Sequence, residues 1–451
     1  MSLQQDSSVD PLQRCPGLSP AGAALLKRMR ELPCAPIYRN QSGHRLGAGE
    51  VAAVRAHAAA LAHASIEPRA AHAAWLPEFF QRVRERVPAQ HVRDADPTCF
   101  ESWPTTCRAD FAADIAAHVP DDLPLDRLIN FRTTGTSGHP LLLPSHPVVA
   151  ARYLGYHQRA FRRFGIELTA GRGAVGVVLI GWQERCFTYT SVSPYRDECG
   201  LAKINLHPAD WRDPAHRGAY LDALAPEVIA GDPLSFAELL QIPCTHRPRV
   251  LLSTSMQLLP GLRRALAARF ACPIADIYSM NEAGPIAVAD SDLGGHVLLQ
   301  PEMVVEILDP DGRPLPEGER GEITLSGGFN DYLPLLRYRT GDHASLVRRE
   351  GEWLLLGLEG RQPVRFRRSD GRWINNIDVT HALRDWPLAQ FALHQHADGS
   401  FDLGIQSAAA LDHAQLQACL LQVLGDQARL RIASVAPQSG KLWQYRCDLP
   451  A

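Results

Sequence analysis

The sequence is short of lysine: Lys27, Lys203 and Lys441 are its three, within a Lys+Arg total of 46. A lysine here is an exception to a strong arginine bias. No Cys-x-x-Cys pair occurs among ten cysteines, which argues against a zinc ribbon, a redox dithiol or a compact disulfide framework. There is no basic excess either. The formal net charge of -3 gives no general electrostatic reason to bind nucleic acid, so any basic surface must be local. Long apolar runs are missing as well. The longest, Gly173 to Trp182, is about half of the roughly 20 residues that span a bilayer and reads as a buried strand. The first residues, Met-Ser-Leu-Gln-Gln-Asp-Ser-Ser, lack a basic start followed by an apolar stretch. The expectation is a cytoplasmic protein with no membrane span and no nucleic-acid partner.

What is present is the composition of an ordinary globular protein, 45% hydrophobic and 21% charged, over 451 residues. That length exceeds one core, because single cores stop growing near roughly 250–300 residues. From about Pro20 to Val119 the chain is rich in Ala, Leu and Arg at helical spacing, as in Val51 to Ala64 and Trp75 to Val87, a helical lead-in. From Leu128 short β-branched runs take over: Gly173 to Ile180, Val228 to Gly231, Val250 to Ser253 and Ile274 to Tyr278. They alternate with helical stretches at Phe236 to Leu240 and Gly261 to Phe270, the pattern of an α/β fold with buried strands. Near Pro301 the period shifts to alternation, in Met303 to Leu308 and Gly321 to Leu325 around the turn Asp309-Pro310-Asp311-Gly312, a more antiparallel, barrel-like part. After Gly360-Arg361 come about ninety residues with a strand at Val364 to Arg367, a turn at Asp370-Gly371 and a helix at Leu411 to Leu424. The fold class predicted is α/β: a large multi-layer domain over 1–360 and a small α+β domain over 361–451.

Four segments carry chemistry. Thr133-Thr134-Gly135-Thr136-Ser137-Gly138-His139-Pro140 is a hydroxyl- and glycine-rich loop, in which backbone N–H groups and side-chain hydroxyls can hold a polyphosphate. It lacks the Gly-Lys-Ser/Thr ending of a P-loop, and a plain flexible turn is the bland alternative. Tyr278-Ser279-Met280-Asn281-Glu282-Ala283-Gly284-Pro285 follows an apolar strand and puts a carboxylate beside an aromatic ring, which suits magnesium and a base; a strand end with a solvated glutamate is the bland reading. Arg337-Tyr338-Arg339-Thr340-Gly341-Asp342 ends in a carboxylate whose two oxygens can accept from vicinal ribose hydroxyls, or is simply a turn. Gly440-Lys441 offers a rare lysine that can neutralise charge on a substrate carboxylate and an α-phosphate, or is solvated like most loop lysines.

Taken in this order, the segments resemble the adenylate-forming superfamily of acyl-CoA ligases, carrier-protein ligases and luciferases, and within it the phenylacetate-CoA ligase-like branch. The loop is similar to that branch's Ser-Ser-Gly-Thr-Thr-Gly-x-Pro, with Leu141 where many other branches have lysine, and Trp103-Pro104-Thr105-Thr106 resembles its Leu-Pro-x-Thr-x-Lys segment. The resemblance implies that Thr133, Thr134, Gly135, Thr136, Ser137 and Gly138 bind the phosphates of ATP and that Glu282 holds Mg2+. It also implies that Tyr278, Asn281, Asp342 and Arg361 meet adenine and ribose, that Lys441 with Glu282 is catalytic, and that the small domain rotates about a hinge near Arg361. Two positions depart from the pattern. Asn281 replaces the usual Thr, and Pro363, which fixes φ, stands where a hinge Asp is common.

The reading is an ATP-dependent ligase that makes an acyl-adenylate from an aryl acid such as a benzoate or hydroxybenzoate. It passes the acyl group to coenzyme A or to the phosphopantetheine of an acyl carrier protein. Arg365, Arg367 and Arg368 can meet either acceptor or form a solvated strand face. Trp182, Phe187, Tyr189 and the region after Val250 are candidate walls for the acid or plain core. The alternative from another class is a nucleotide-binding sensor or partner protein that kept the fold and lost turnover.

Overall fold

The computed structural model describes residues 11–96, 98–133, 141–360, 364–435 and 444–449. The chain divides into two compact units. One comprises Met1–His44, Leu168–Ile274 and Pro363–Ala451, the other Arg45–Glu167 and Ala275–Gln362.

In the first unit a five-stranded sheet runs in the order Val250–Ser253, Val228–Gly231, Val175–Gly181, Cys199–Asn205, Tyr189–Ser193. The first four strands are parallel and the last is antiparallel. Burial on both faces explains why Val175–Gly181 reads as an apolar run and not as an alternation. Its core includes Val178, Ile204, Ile229, Leu251, Leu262 and Phe270. Helices start where proline tolerates the first turn. Pro20 follows the Ser19 cap, whose side chain accepts from Gly22 N–H, and Pro233 follows Asp232, which accepts from Ser235 N–H.

The same unit contains the carboxyl-terminal sheet, ordered Leu430–Ser434, Phe401–Ser407, Leu388–Gln395, Tyr445–Cys447. Helices Asn376–Leu383 and His413–Leu424 pack with it around Phe366, Val379, Phe391, Phe401, Leu416 and Leu420. Asp412 caps the second helix through Ala414 and Gln415 N–H, and Gly425 ends it at φ 99°. This core also takes in Leu259, and Gly261 N–H donates to Arg384 O at 2.9 Å.

The second unit carries the helices Ala48–His63, Leu76–Arg86 and Pro147–Arg162. Its sheet runs Met303–Leu308, Arg320–Gly327, Leu335–Arg349, Glu352–Gly360, Gly295–Leu298, Gly284–Asp290, Ile274–Met280, and every neighbouring pair is antiparallel, as the alternation after Pro301 predicts. The short strand Thr106–Cys107 adds to Leu335–Arg349 in parallel. A separate hairpin, Ile129–Thr133 with Leu141–Ser145, pairs Thr133 with Leu141. The glycine-rich segment 134–140 is the connection between those two strands.

Candidate active site

Strand Leu335–Arg349 is the backbone of the site, and two irregularities shape it. Against Arg320–Gly327 the register runs Leu325 with Tyr338 but Gly327 with Leu335, so one extra residue is accommodated around Arg337. Arg337 there takes φ 40°, uncommon for a side chain of its size, and its N–H donates to Ser326 Oγ at 2.8 Å. A second shift lies between Glu322–His343 and Thr324–Arg339, where Thr340, Gly341 and Asp342 face Ile323. Gly341 supplies the φ of 80° that this bulge requires. Thr340 Oγ1 donates to Ile323 O at 2.9 Å and accepts from Asp342 N–H at 3.1 Å, while Glu322 Oε1 accepts from Gly341 N–H at 3.0 Å. The turn reading of Thr340-Gly341-Asp342 is therefore replaced by a pinned bulge inside a long strand.

Four sequence segments meet along this strand. Arg337 is buried, with 3% of its side chain exposed, and its fork binds Glu306 through Nε and Nη2, each at 3.0 Å. Its Nη1 donates to Glu101 O at 2.7 Å and Trp103 O at 2.9 Å. Thr106 pairs with Tyr338 in register, and its Oγ1 donates to Leu336 O at 3.0 Å. Trp103 to Thr106 is thus fastened to Arg337–Asp342 from both ends. On the other side Asp342 pairs with Gly360, the residue before Arg361.

The nucleotide candidates within the described residues come together. Tyr278 OH donates to Asp342 Oδ2 at 2.8 Å. Burial first, and then the Asp342 charge, push that phenol well above its ordinary range, so it stays a donor and fixes the carboxylate's orientation. Glu282 lies in the turn between the two strands that carry Tyr278 and Gly284, and it is 7% exposed. Arg108 Nη1 approaches its Oε1 at 3.7 Å, and Tyr338 OH donates to the same oxygen at 3.3 Å. Tyr338 stacks on Phe111 with centroids 5.0 Å apart, and burial followed by the Glu282 charge raises its pKa. Tyr153, on the helix Pro147–Arg162, has its phenol raised by burial and then by Glu282. Asn281 is exposed in the same turn.

Thr133 is placed only as the last residue of its strand, and Thr134, Gly135, Thr136, Ser137, Gly138, Arg361, Pro363 and Lys441 lie outside the described residues. Three side chains around the site have no counterpart among the sequence candidates, Arg108, Glu306 and Glu322, and Tyr338, inside the segment Arg337–Asp342, had no role of its own there. One signal was available for Glu306. Arg337 stands in the apolar run Pro334-Leu335-Leu336-Arg337-Tyr338, and an arginine buried there requires a carboxylate.

The proposed acid wall lies in the first unit. Trp182 packs at the edge of the apolar core and meets His207 with ring centroids 5.4 Å apart, and Phe187 meets Tyr189 at 5.4 Å. Burial raises the Tyr189 phenol to about 12. Arg368 is engaged within the unit. Its guanidinium binds Gln422 O at 3.2 Å and Val423 O at the end of helix His413–Leu424, together with Asp370. Arg365 and Arg367 remain exposed. All ten cysteines are free thiols, and no helix among the described residues is long and apolar enough to cross a membrane.

Glu282 is thus a buried carboxylate facing a phenol and a guanidinium, a hard oxygen donor that can take a cation, and Asp342 on its bulge is a carboxylate that can accept from a diol. The fold agrees. Over 89% of this chain and 90% of the other, the protein superposes on 2-hydroxyisobutyryl-CoA ligase in a postadenylation state, with a TM-score of 0.59 at 16% identity. A second structure of that ligase in complex with 2-HIB-AMP gives a TM-score of 0.57. Residues 200–330 match the AMP-binding enzyme family. Over 91 residues the chain is 32% identical to phenylacetate-coenzyme A ligases of Aromatoleum evansii and Escherichia coli (strain K12). That stretch is 19% of this chain and 21% of each relative, so the match spans about a fifth of those enzymes' length. These findings show that residues 200–330 are similar to AMP-binding enzymes and that the chain shares the fold of an acyl-CoA ligase. The curated relatives that share the 91-residue segment include phenylacetate-coenzyme A ligases.

Proposed function

We propose that the protein is an ATP-dependent acid–thiol ligase. A carboxylate oxygen of the substrate attacks the α-phosphorus of ATP, the bond to the β-phosphate oxygen breaks, and pyrophosphate leaves with its electron pair. A thiolate then attacks the acyl carbon of the adenylate, the acyl–oxygen bond breaks, and AMP leaves. The observation that carries this reading is the convergence of Tyr278, Glu282 and Asp342 around one strand, with Asp342 oriented by a phenol and a bulge. Asp342 accepts from the ribose hydroxyls, and the Tyr278 ring, at the margin of the core, lies against adenine.

Glu282 supplies a hard oxygen donor in a buried site, the chemistry that magnesium prefers. It is the residue that would hold Mg2+, which neutralises charge on the phosphates when bound. Residues 134–138, between the two strands of the 129–145 hairpin, take the phosphates, and Lys441 neutralises charge developing at the α-phosphate. The small domain, 361–451, moves about Arg361 between the half-reactions. The acid is an aryl acid and the acceptor is coenzyme A, in keeping with the relatives of the matched segment.

The test is pyrophosphate release from MgATP across benzoic, hydroxybenzoic, arylacetic, amino and fatty acids. Each acid is run without a thiol, with coenzyme A, and with a phosphopantetheinylated carrier protein. Acid-dependent release accelerated by coenzyme A is the expected result, and Lys441→Ala should abolish release while leaving ATP binding in place. ATP binding with no release from any acid would overturn the ligase reading in favour of a nucleotide-binding partner protein.

A further inference from the structure

A second cluster of chemistry-bearing side chains lies on the carboxyl-terminal sheet. In strand Leu388–Gln395, Leu393 and Gln395 are buried, so His394 points to the open face, and His396 follows two residues later. Across the antiparallel neighbour the partner of His394 is Asp402, and across the parallel neighbour it is Arg446, which is followed two residues on by Asp448. Asp448 N–H donates to Gln395 O at 2.9 Å, so the main chain itself holds Asp448 beside the two histidines.

The side chains converge. The rings of His394 and His396 are 4.1 Å apart between centroids. His394 Nε2 is 2.7 Å from Asp448 Oδ2, and His396 Nε2 is 3.1 Å from Asp402 Oδ2. One ligand atom each from His394, His396 and Asp448 lie within 4.8 Å of one another. Ligands on tetrahedral zinc, at about 2.0–2.2 Å from the ion, stand roughly 3.3 Å apart, so closure needs movements of about 1 Å. Two imidazoles this close repel if both are protonated, whereas one cation between them satisfies both rings and both carboxylates.

We propose that His394, His396 and Asp448 form a binding site for a divalent transition-metal ion of the zinc type, with mixed nitrogen and oxygen ligands. Asp402 either supplies the fourth ligand or, when His396 binds through Nδ1, accepts from its Nε2 and fixes the ring. Two arginines compete for the carboxylates: Arg446 is 3.0 Å from Asp448, and Arg431 is 2.9 Å from Asp402. Their side chains are 62% and 78% exposed, so solvent can take both charges when the metal arrives.

The position gives the ion a structural consequence. Asp448 follows Tyr445–Cys447, the strand that comes after segment 436–443 with Lys441, whereas the two histidines lie at the end of a central strand of the sheet, His396 one residue beyond it. Metal binding therefore fastens the end of the chain beyond Lys441 to the sheet. This assignment does not depend on the ligase reading.

The test uses the full chain, stripped with chelator and titrated with Zn2+ by calorimetry and with Co2+ by visible absorption. The expected result is one saturable equivalent, with the d–d bands of a nitrogen- and oxygen-ligated low-coordinate cobalt and a zinc-dependent rise in melting temperature. His394→Gln, His396→Gln and Asp448→Asn should each weaken binding at least tenfold and lose the rise. Circular dichroism establishes that each variant is folded, and because three positions at the sheet surface are tested, one misfolded variant leaves two. Absence of a saturable equivalent, or equal uptake by the folded variants through the cysteines or other histidines, overturns the proposal.

Discussion

Replacement of Arg337 should be among the most damaging single changes in the second unit. Its guanidinium is 3% exposed and is the ion-pair partner of Glu306, itself 10% exposed, while two further donors satisfy the carbonyls of Glu101 and Trp103. Burial already raises the Glu306 carboxyl in spite of the arginine beside it, so that charge is held in place only by the fork. Removing one partner of a buried pair costs about 3–5 kcal/mol, and each carbonyl left unsatisfied adds about 1 kcal/mol. Arg337→Met should therefore lose about 5–7 kcal/mol, which at the entropy of a domain of this size lowers the melting temperature by roughly 10–30 °C. Thermal and urea unfolding measure the loss. Arg337→Met with Glu306→Leu should recover at least about 2 kcal/mol relative to the sum of the single changes, because the stranded charge is gone. A single-variant loss under about 1 kcal/mol, or strict additivity in the double variant, would refute the assignment of Arg337 as the buried clamp between Trp103 and Glu306.

Three other changes separate chemistry from architecture. Glu282→Gln keeps the shape of the turn but removes the charge facing Arg108; adenylation should fall roughly 100-fold, with saturation shifted to higher magnesium and little change in melting temperature, as pyrophosphate release would record. Glu227 is mostly shielded from solvent beside Arg196, and although burial alone would raise its pKa, the N–H groups of Thr169 and Ala170 and the arginine lower it from 4.5 to about 2. A depressed folded-state pKa contributes stability that is complete above pH 4.5 and lost as pH falls toward 2, so Glu227→Gln should flatten the acid branch of a urea-midpoint profile; an unchanged slope would count against the pair. At Gly261 an added Cβ would stand 2.0 Å from Trp386 O, so Gly261→Ala should cost about 1–3 kcal/mol and speed amide exchange in residues 384–388, and wild-type exchange there would sink the prediction.

Strands such as Val228–Gly231 and Val250–Ser253 were legible because a strand buried on both faces needs nothing but apolar residues. Helices with a proline at the first position and Ser or Asp at the cap carry an equally local signal, one that helical spacing alone does not use. The bulges were not. A bulge is a mismatch between two strands, and Thr340-Gly341-Asp342 shows its glycine without showing that Ile323 lies opposite. Glu306 and Glu322, which hold Arg337 and Gly341, are 31 and 19 residues away from them in sequence, and nothing local marks either glutamate as a partner. Arg108 is harder still, since its carboxylate lies across the unit on Glu282.

That division bears on how the site works. The atoms that would meet ribose are held by structure that exists before any nucleotide arrives: Tyr278 orients Asp342, the bulge aims it, Glu322 holds the bulge, and Gly360 pairs with Asp342 across the sheet. Preorganisation of this kind lowers the cost of ordering side chains on binding and leaves binding energy for the transition state. Glu282 is arranged differently. Its buried charge is balanced by Arg108, a partner at 3.7 Å with about a third of its side chain exposed, in place of a tight bidentate fork. A guanidinium at that distance, partly in solvent, can yield to a cation at little cost, whereas opening the buried Glu306 fork on Arg337 would strand two charges away from water. Two glutamates of one unit thus differ in the geometry of their arginines, and it is that geometry, not the glutamates themselves, on which the proposed cation-binding role of Glu282 rests.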